Sequence, residues 1–149
     1  MPDTNKVELA LAKIRQIRDE HALPVVGSVD EYTILVSLRA FLDCRKQPCW
    51  LKAAEGRMVY LNPAYTEIFG KTLVDYIGEK DNKEWGEVVG AHFDGNDKKA
   101  IQNGKEVEVV EQIPMPNGEI VAHMIRKWPV YLKGELIGVA GESLGIANE

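Results

Sequence analysis

A chain of 149 residues has the size of one domain with room for a short appendage. Apolar residues make up 45% and charged residues 28%, which excludes a disordered tail, a collagen-like repeat and a coiled-coil rod. The 18 basic and 23 acidic side chains leave a net charge of -5, a balance that repels nucleic-acid phosphates.

The N-terminus, MPDTNKVELA, lacks the basic start and apolar core of a secretory signal. No apolar run approaches the about 20 residues of a membrane-spanning helix. The expectation is a cytoplasmic protein with no membrane partner. Cys44 and Cys49 are too few for a disulfide scaffold, and their spacing is not a metal knuckle, so both read as plain thiols.

Between Asn5 and His21, the residues Val7, Ala10, Leu11, Ile14 and Ile17 recur at helical steps, with Asn5 and Glu8 as a capping box. Pro24 ends that helix. Ser28 and Glu31 cap a second one, whose apolar stripe is Ile34, Leu35, Leu38, Phe41 and Leu42. Residues 1–46 therefore read as an N-terminal helical extension. Its seven basic and seven acidic side chains cancel, which argues against a DNA-binding helix pair. The two helices are expected instead to pack on the following domain or on a second copy. Leu11, Ile14, Ile17, Leu35 and Leu38 form the expected homodimer face.

Past Pro48 the texture changes to short apolar stretches broken by turns. Cys49–Lys52 and Met58–Leu61 read as a strand pair around Glu55-Gly56. Asn62-Pro63 starts a brief helix that closes at Gly70. Residues 72–89 read as irregular, with short helices near Trp85, and a helix from about Gly95 stops at Gly104. Three strands follow, the first at Glu106–Val109. Asn117-Gly118 and Lys133-Gly134 turn the chain between them. No parallel crossover is needed, so the fold class is α+β.

On β-strand alternation, Met124, Arg126 and Trp128 share one face of the long strand, and His123, Ile125 and Lys127 share the other. Lys127 marks the second face as the wetter one, which would turn Met124 and Trp128 towards the helices. His123 is then either solvent-facing, the preferred reading, or a hydrogen-bond donor in the pocket. Arg126 either reaches out at the sheet edge or enters the interior to hold an anion. Glu106, Glu108 and Glu111 read as solvated strand positions.

The order and landmarks of residues 47–149 resemble a PAS domain. The matching pieces are Trp50-Leu51-Lys52, Glu55-Gly56-Arg57-Met58-Val59-Tyr60, and Asn62-Pro63-Ala64-Tyr65 leading to Phe69-Gly70. Later come Tyr76-Ile77-Gly78, Asp97 ahead of Asn103-Gly104, Glu111, Asn117-Gly118, Lys127-Trp128-Pro129-Val130 and Gly138-Val139-Ala140-Gly141. The resemblance implies a five-stranded antiparallel sheet with short helices on one face and a pocket between them. It also implies a sensory or protein-interaction role in signal transduction or transcriptional regulation, exerted through a dimer or a protein partner, and no catalysis.

Phe69, Trp85, His92, Phe93, Met124, Arg126 and Trp128 are the expected pocket residues. The ligand itself is unspecified. No Cys follows Cys49, so the flavin-thiol chemistry of one branch of the family is excluded. In haem-binding members an axial His precedes the Gly that closes the last helix, and His92 stands twelve positions before Gly104. A haem sensor using His92 is thus one alternative. A second, from another class, is a small cone-shaped α+β isomerase with Asp97 and Tyr60 or Tyr65 as its base.

Overall fold

The structure, a computed structural model, describes residues 31–147 together with helical backbone at positions 8, 9, 12, 13 and 16. Most of the expected first helix and the Ser28 cap lie outside the described residues. Helix α1 (Glu31–Asp43) is the second expected helix. Strands β1 (Cys49–Ala53) and β2 (Met58–Leu61) make the expected pair. Four helices follow: α2 (Pro63–Phe69), α3 (Leu73–Tyr76), α4 (Asp81–Trp85) and α5 (Glu87–Asn103). Strands β3 (Val107–Pro114), β4 (Ile120–Leu132) and β5 (Glu135–Ile146) complete the chain. Among the described residues no helix is long and apolar enough to cross a membrane.

Local chemistry sets most of these boundaries. Asn62 caps α2 by accepting the Tyr65 amide at 3.1 Å, with Pro63 in the first turn. Asn62 is also wholly buried. Its carbonyl oxygen accepts the Cys49 amide at 3.0 Å, and its amide donates to the carbonyls of Leu42 and Gln47, so one side chain joins α1, β1 and α2. Between β4 and β5 both turn residues, Lys133 and Gly134, have positive φ (48° and 82°), the twist that suits a tight hairpin.

Two elements differ in extent from their expectations: strand β3 runs on past Val109 to Pro114, and a helix begins earlier. Helix α5 starts at Glu87, not near Gly95. Gly90 and Gly95 weaken the local helical signal. Packing overrides it, because Val89 and Phe93 join the core and Ala100 is buried. Gly90 is needed there: a Cβ would stand 2.6 Å from the Asn82 backbone of α4.

All strand pairs are antiparallel, in the order β2-β1-β5-β4-β3. This is the expected five-stranded sheet of an α+β fold. The core lies on one side of it and includes Trp50, Met58, Tyr65, Phe69, Tyr76, Phe93 and Ile125. Tyr65 anchors this cluster, with Trp50 and Phe69 edge-on at 5.4 and 5.0 Å.

The facing of β4 is the reverse of the expectation. His123, Ile125 and Lys127 are the buried residues of that stretch, and Met124, Arg126 and Trp128 are only half-buried. Arg126 lies on the outer face among Glu106, Glu108 and Glu142, at 3.0, 3.1 and 3.2 Å. The inward ring of His123 meets Phe69 edge-on at 5.3 Å. A charged residue on a strand marks a wet face only when no buried partner awaits it, and Lys127 has such partners.

Candidate ligand site

Period-two alternation in β1 puts Lys52 on the same side as the core residue Trp50. On β4 it puts Lys127 beside Ile125. Both lysines are buried, at 3% and 1% exposure, so their ammonium groups must find partners inside. Helices α4 and α5 and strand β3 supply them. Lys52 donates to Asp81 at 2.5 Å and to Asp97 at 2.8 Å. Lys127 donates to Asp97 at 2.8 Å and to the Phe93 carbonyl at 3.3 Å, and it pairs with Glu111 at 2.8 Å. Asp97 therefore bridges the two lysines.

Polar neighbours close the network. The Tyr76 hydroxyl donates to Asp81 and accepts the indole N–H of Trp85 at 3.1 Å. Asn96 donates its side-chain amide to Glu111 at 3.0 Å. Burial alone would raise the Asp97 carboxyl, but the Lys52 and Lys127 charges outweigh it and hold the group below its ordinary value of 3.8. Lys52 is the mirror case: burial would lower its ammonium, and Asp97 and Asp81 outweigh that and raise it. Both groups stay charged near neutral pH. Burial drives the Tyr65 and Tyr76 phenols well above their ordinary range, so both remain protonated.

Two adjoining cavities open onto this network between the β1–β2 turn and helices α4 and α5. One, of about 310 Å³, has Lys52, Asp97, Ile101 and Val139 in its lining. The other, of about 200 Å³, reaches Asp81, Asn82, Glu87 and Ala91. Glu55, Gly56, Lys80 and Asp94 border both. A third cavity, of about 540 Å³, shares Lys52, Ala53 and Glu55 with the first and is lined also by Leu9, Lys13, Leu51, Val59 and Ile137.

The expected pocket residues divide into three groups. Phe69 and Phe93 are buried in the core, and Trp85 packs edge-on to Phe93 at 5.5 Å. These three do lie between sheet and helices. Met124, Arg126 and Trp128 lie on the other face of the sheet, so they leave the interior set. His92 is exposed on α5, and an exposed imidazole cannot ligate a haem held between sheet and helices. That removes the basis of the haem alternative.

The isomerase alternative fails on geometry. The Tyr60 hydroxyl donates to Asp43, Tyr65 is a core residue, and Asp97 is held as an ion between two lysines, which makes it a weak base. Glu111, expected to be solvated, is 3% exposed, whereas Glu106 and Glu108 are indeed exposed. Lys52, Asp81, Glu111 and Lys127 were missed as site residues. The available signal was spacing: Lys52 lies two residues from Trp50, and Lys127 two from Ile125.

A family model described as the PAS fold matches residues 42–148 of this sequence. The chain belongs to the PAS family. Solved structures agree with this PAS assignment. The PAS domain of a Colwellia psychrerythraea protein superposes with a TM-score of 0.64 at 18% identity, covering 78% of this chain and 99% of that one. VqmA of Vibrio cholerae, solved with ligand and DNA, gives a TM-score of 0.62 at 28% identity, covering 74% of this chain and 50% of VqmA. Another VqmA structure is described as a dimer. An RNA-binding light-oxygen-voltage receptor gives 0.63 at 18% identity, covering 83% of this chain. This PAS chain spans 36% of that receptor's length. A search of curated proteins returns no match.

Proposed function

We propose that this chain is a sensory or protein-interaction module of signal transduction or transcriptional regulation, and that it is not an enzyme. A small ligand enters the cleft between the β1–β2 turn and helices α4 and α5, and occupancy is passed on through a homodimer or a protein partner. The observation that carries this reading is the cleft's floor. Lys52, Asp81 and Asp97 are desolvated and ion-paired yet border open space, so a ligand there would meet strong electrostatic interactions. The likeness to VqmA, which is described with a bound ligand, with DNA and as a dimer, supports the same reading.

Short helices depend on packing, so a ligand that alters the contacts of α4 can shift them. The route outwards is the N-terminal extension, proposed as residues 1–46. Leu11, Ile14, Ile17 and the Leu35 side chain lie outside the described residues. Leu38 is 56% exposed on α1, where Val36 and Phe41 are also exposed. We read these apolar side chains as a contact for a second copy. Native mass spectrometry of the freshly purified chain tests the sensory reading. A small-molecule adduct that raises the melting temperature is expected; an empty chain whose melting no metabolite extract alters would refute it.

A further inference from the structure

Helix α1 stands off the domain. Every residue from Val36 to Phe41 is exposed, more than one full turn and so all sides of the helix, and burial begins only at Leu42 and Asp43. The seating of such a helix is set where it joins the body, at residues 42–47. Side chains of the body hold that junction. The Tyr60 hydroxyl donates to Asp43, and Glu142 accepts from Arg45 at 2.5 Å. Asn62 donates to the carbonyls of Leu42 and Gln47 at 3.1 and 3.0 Å.

Tyr60 and Glu142 belong to the sheet, whereas Asn62 leads inward. Its hydrogen-bonding capacity is filled: two N–H groups on Leu42 and Gln47, and one oxygen on the amides of Cys49 and Tyr65. The side chain cannot turn without breaking a bond to α1 or to α2. Beyond it, the Tyr65 ring meets Tyr76 edge-on at 6.3 Å, and the Tyr76 hydroxyl donates to Asp81 in the lining of the cleft. Asp81, Tyr76, Tyr65 and Asn62 thus form one contiguous line from the cleft to Leu42, each at 5% exposure or less. A packed interior of this kind passes a displacement on instead of absorbing it.

We infer that Asn62 is the joint through which the interior sets the seating of α1. The helix is docked while both Asn62 donors hold Leu42 and Gln47. It is released when a shift of Tyr76 and Tyr65 draws Asn62 away. This inference rests on the sensory reading for its use, and it names the residue that passes cleft occupancy to the extension.

Amide hydrogen exchange on the intact, ligand-free chain tests it. The Cys44 amide donates to the Ala40 carbonyl at 3.1 Å, and the Arg45 amide donates at 3.2 Å to the same Leu42 carbonyl that Asn62 holds. Both report local opening of the junction, with the buried Ile125 amide as the reference for global unfolding. Asn62→Asp keeps an oxygen for Cys49 and Tyr65 but loses both donors. It should speed the two junction amides about tenfold or more, the worth of two hydrogen bonds. Asn62→Ser, which retains a cap for α2, should act in the same direction and serves if the first variant does not fold.

Tyr76→Phe removes a single hydroxyl at the cleft end. It should speed the junction amides about threefold or more in the parent. It should add nothing in an Asn62 variant, yet keep its full effect in Arg45→Gln, which loosens the junction through Glu142 instead. A purely structural Asn62 would give additive effects in every background. Additivity in the Asn62 variants, junction amides unmoved by Tyr76→Phe, or any other pattern overturns the inference. Since no ligand enters the measurement, a chain that emerges empty from native mass spectrometry loses the sensory reading while the joint stands, and additive exchange removes the joint while the sensory reading stands.

Discussion

Replacing Lys127 by Met removes the ammonium of a side chain that is 1% exposed and keeps most of its hydrocarbon volume. Three interactions go with it: the pair to Asp97 at 2.8 Å, the pair to Glu111 at 2.8 Å and the bond to the Phe93 carbonyl at 3.3 Å. Asp97 is left with Lys52 alone, and Glu111 keeps only the neutral Asn96 amide. Breaking a buried pair by deleting one partner costs about 3–5 kcal/mol. A domain of this size has roughly 5–15 kcal/mol in total. The substitution should therefore remove a large part of the stability. Urea unfolding, followed by tryptophan emission and circular dichroism, reads the loss as a shift in midpoint at constant slope.

A second substitution separates charge from shape. Glu111→Gln keeps an oxygen that can accept the Asn96 amide but removes the charge stranded by Lys127→Met. The double variant should be more stable than the sum of the two single losses allows, by about 1 kcal/mol or more. A Lys127→Met loss below about 1 kcal/mol, or strict additivity in the double variant, would show that these charges do not depend on each other.

Asp97→Asn should show its signature in pH. The Asp97 carboxyl is held below its ordinary value in the folded chain, so its stabilisation is complete above that value and disappears as pH falls through the folded one. The stability gap between parent and variant should hold steady from about pH 7 to 5 and narrow below about pH 4; a gap that widens in acid contradicts the pairing. Gly141→Ala places a Cβ 2.4 Å from the Trp50 ring, which should cost about 1–3 kcal/mol and shift tryptophan emission. An unchanged spectrum and midpoint would show that the ring gives way freely. Leu38→Glu puts a charge on the exposed apolar surface of α1. Light scattering should then report a dimer mass for the parent and a monomer mass for the variant, and equal masses for the two would end the dimer reading.

What the sequence determined by itself is local. Asn62-Pro63 starts α2, Gly104 stops α5 and Lys133-Gly134 turns β4 into β5, because caps and tight turns depend on a few neighbouring residues. Alternation also paired off the side chains of β4 correctly, but period-two spacing cannot say which set is buried. That choice belongs to the tertiary structure. Lys127 is inward because Asp97 on α5 and Glu111 on β3 are there to meet it, at separations of 30 and 16 residues along the chain. Lys52 is inward for the same reason, through Asp81 and Asp97. A charge enters a core only where its counter-charges are assembled, and only folding brings such distant residues together.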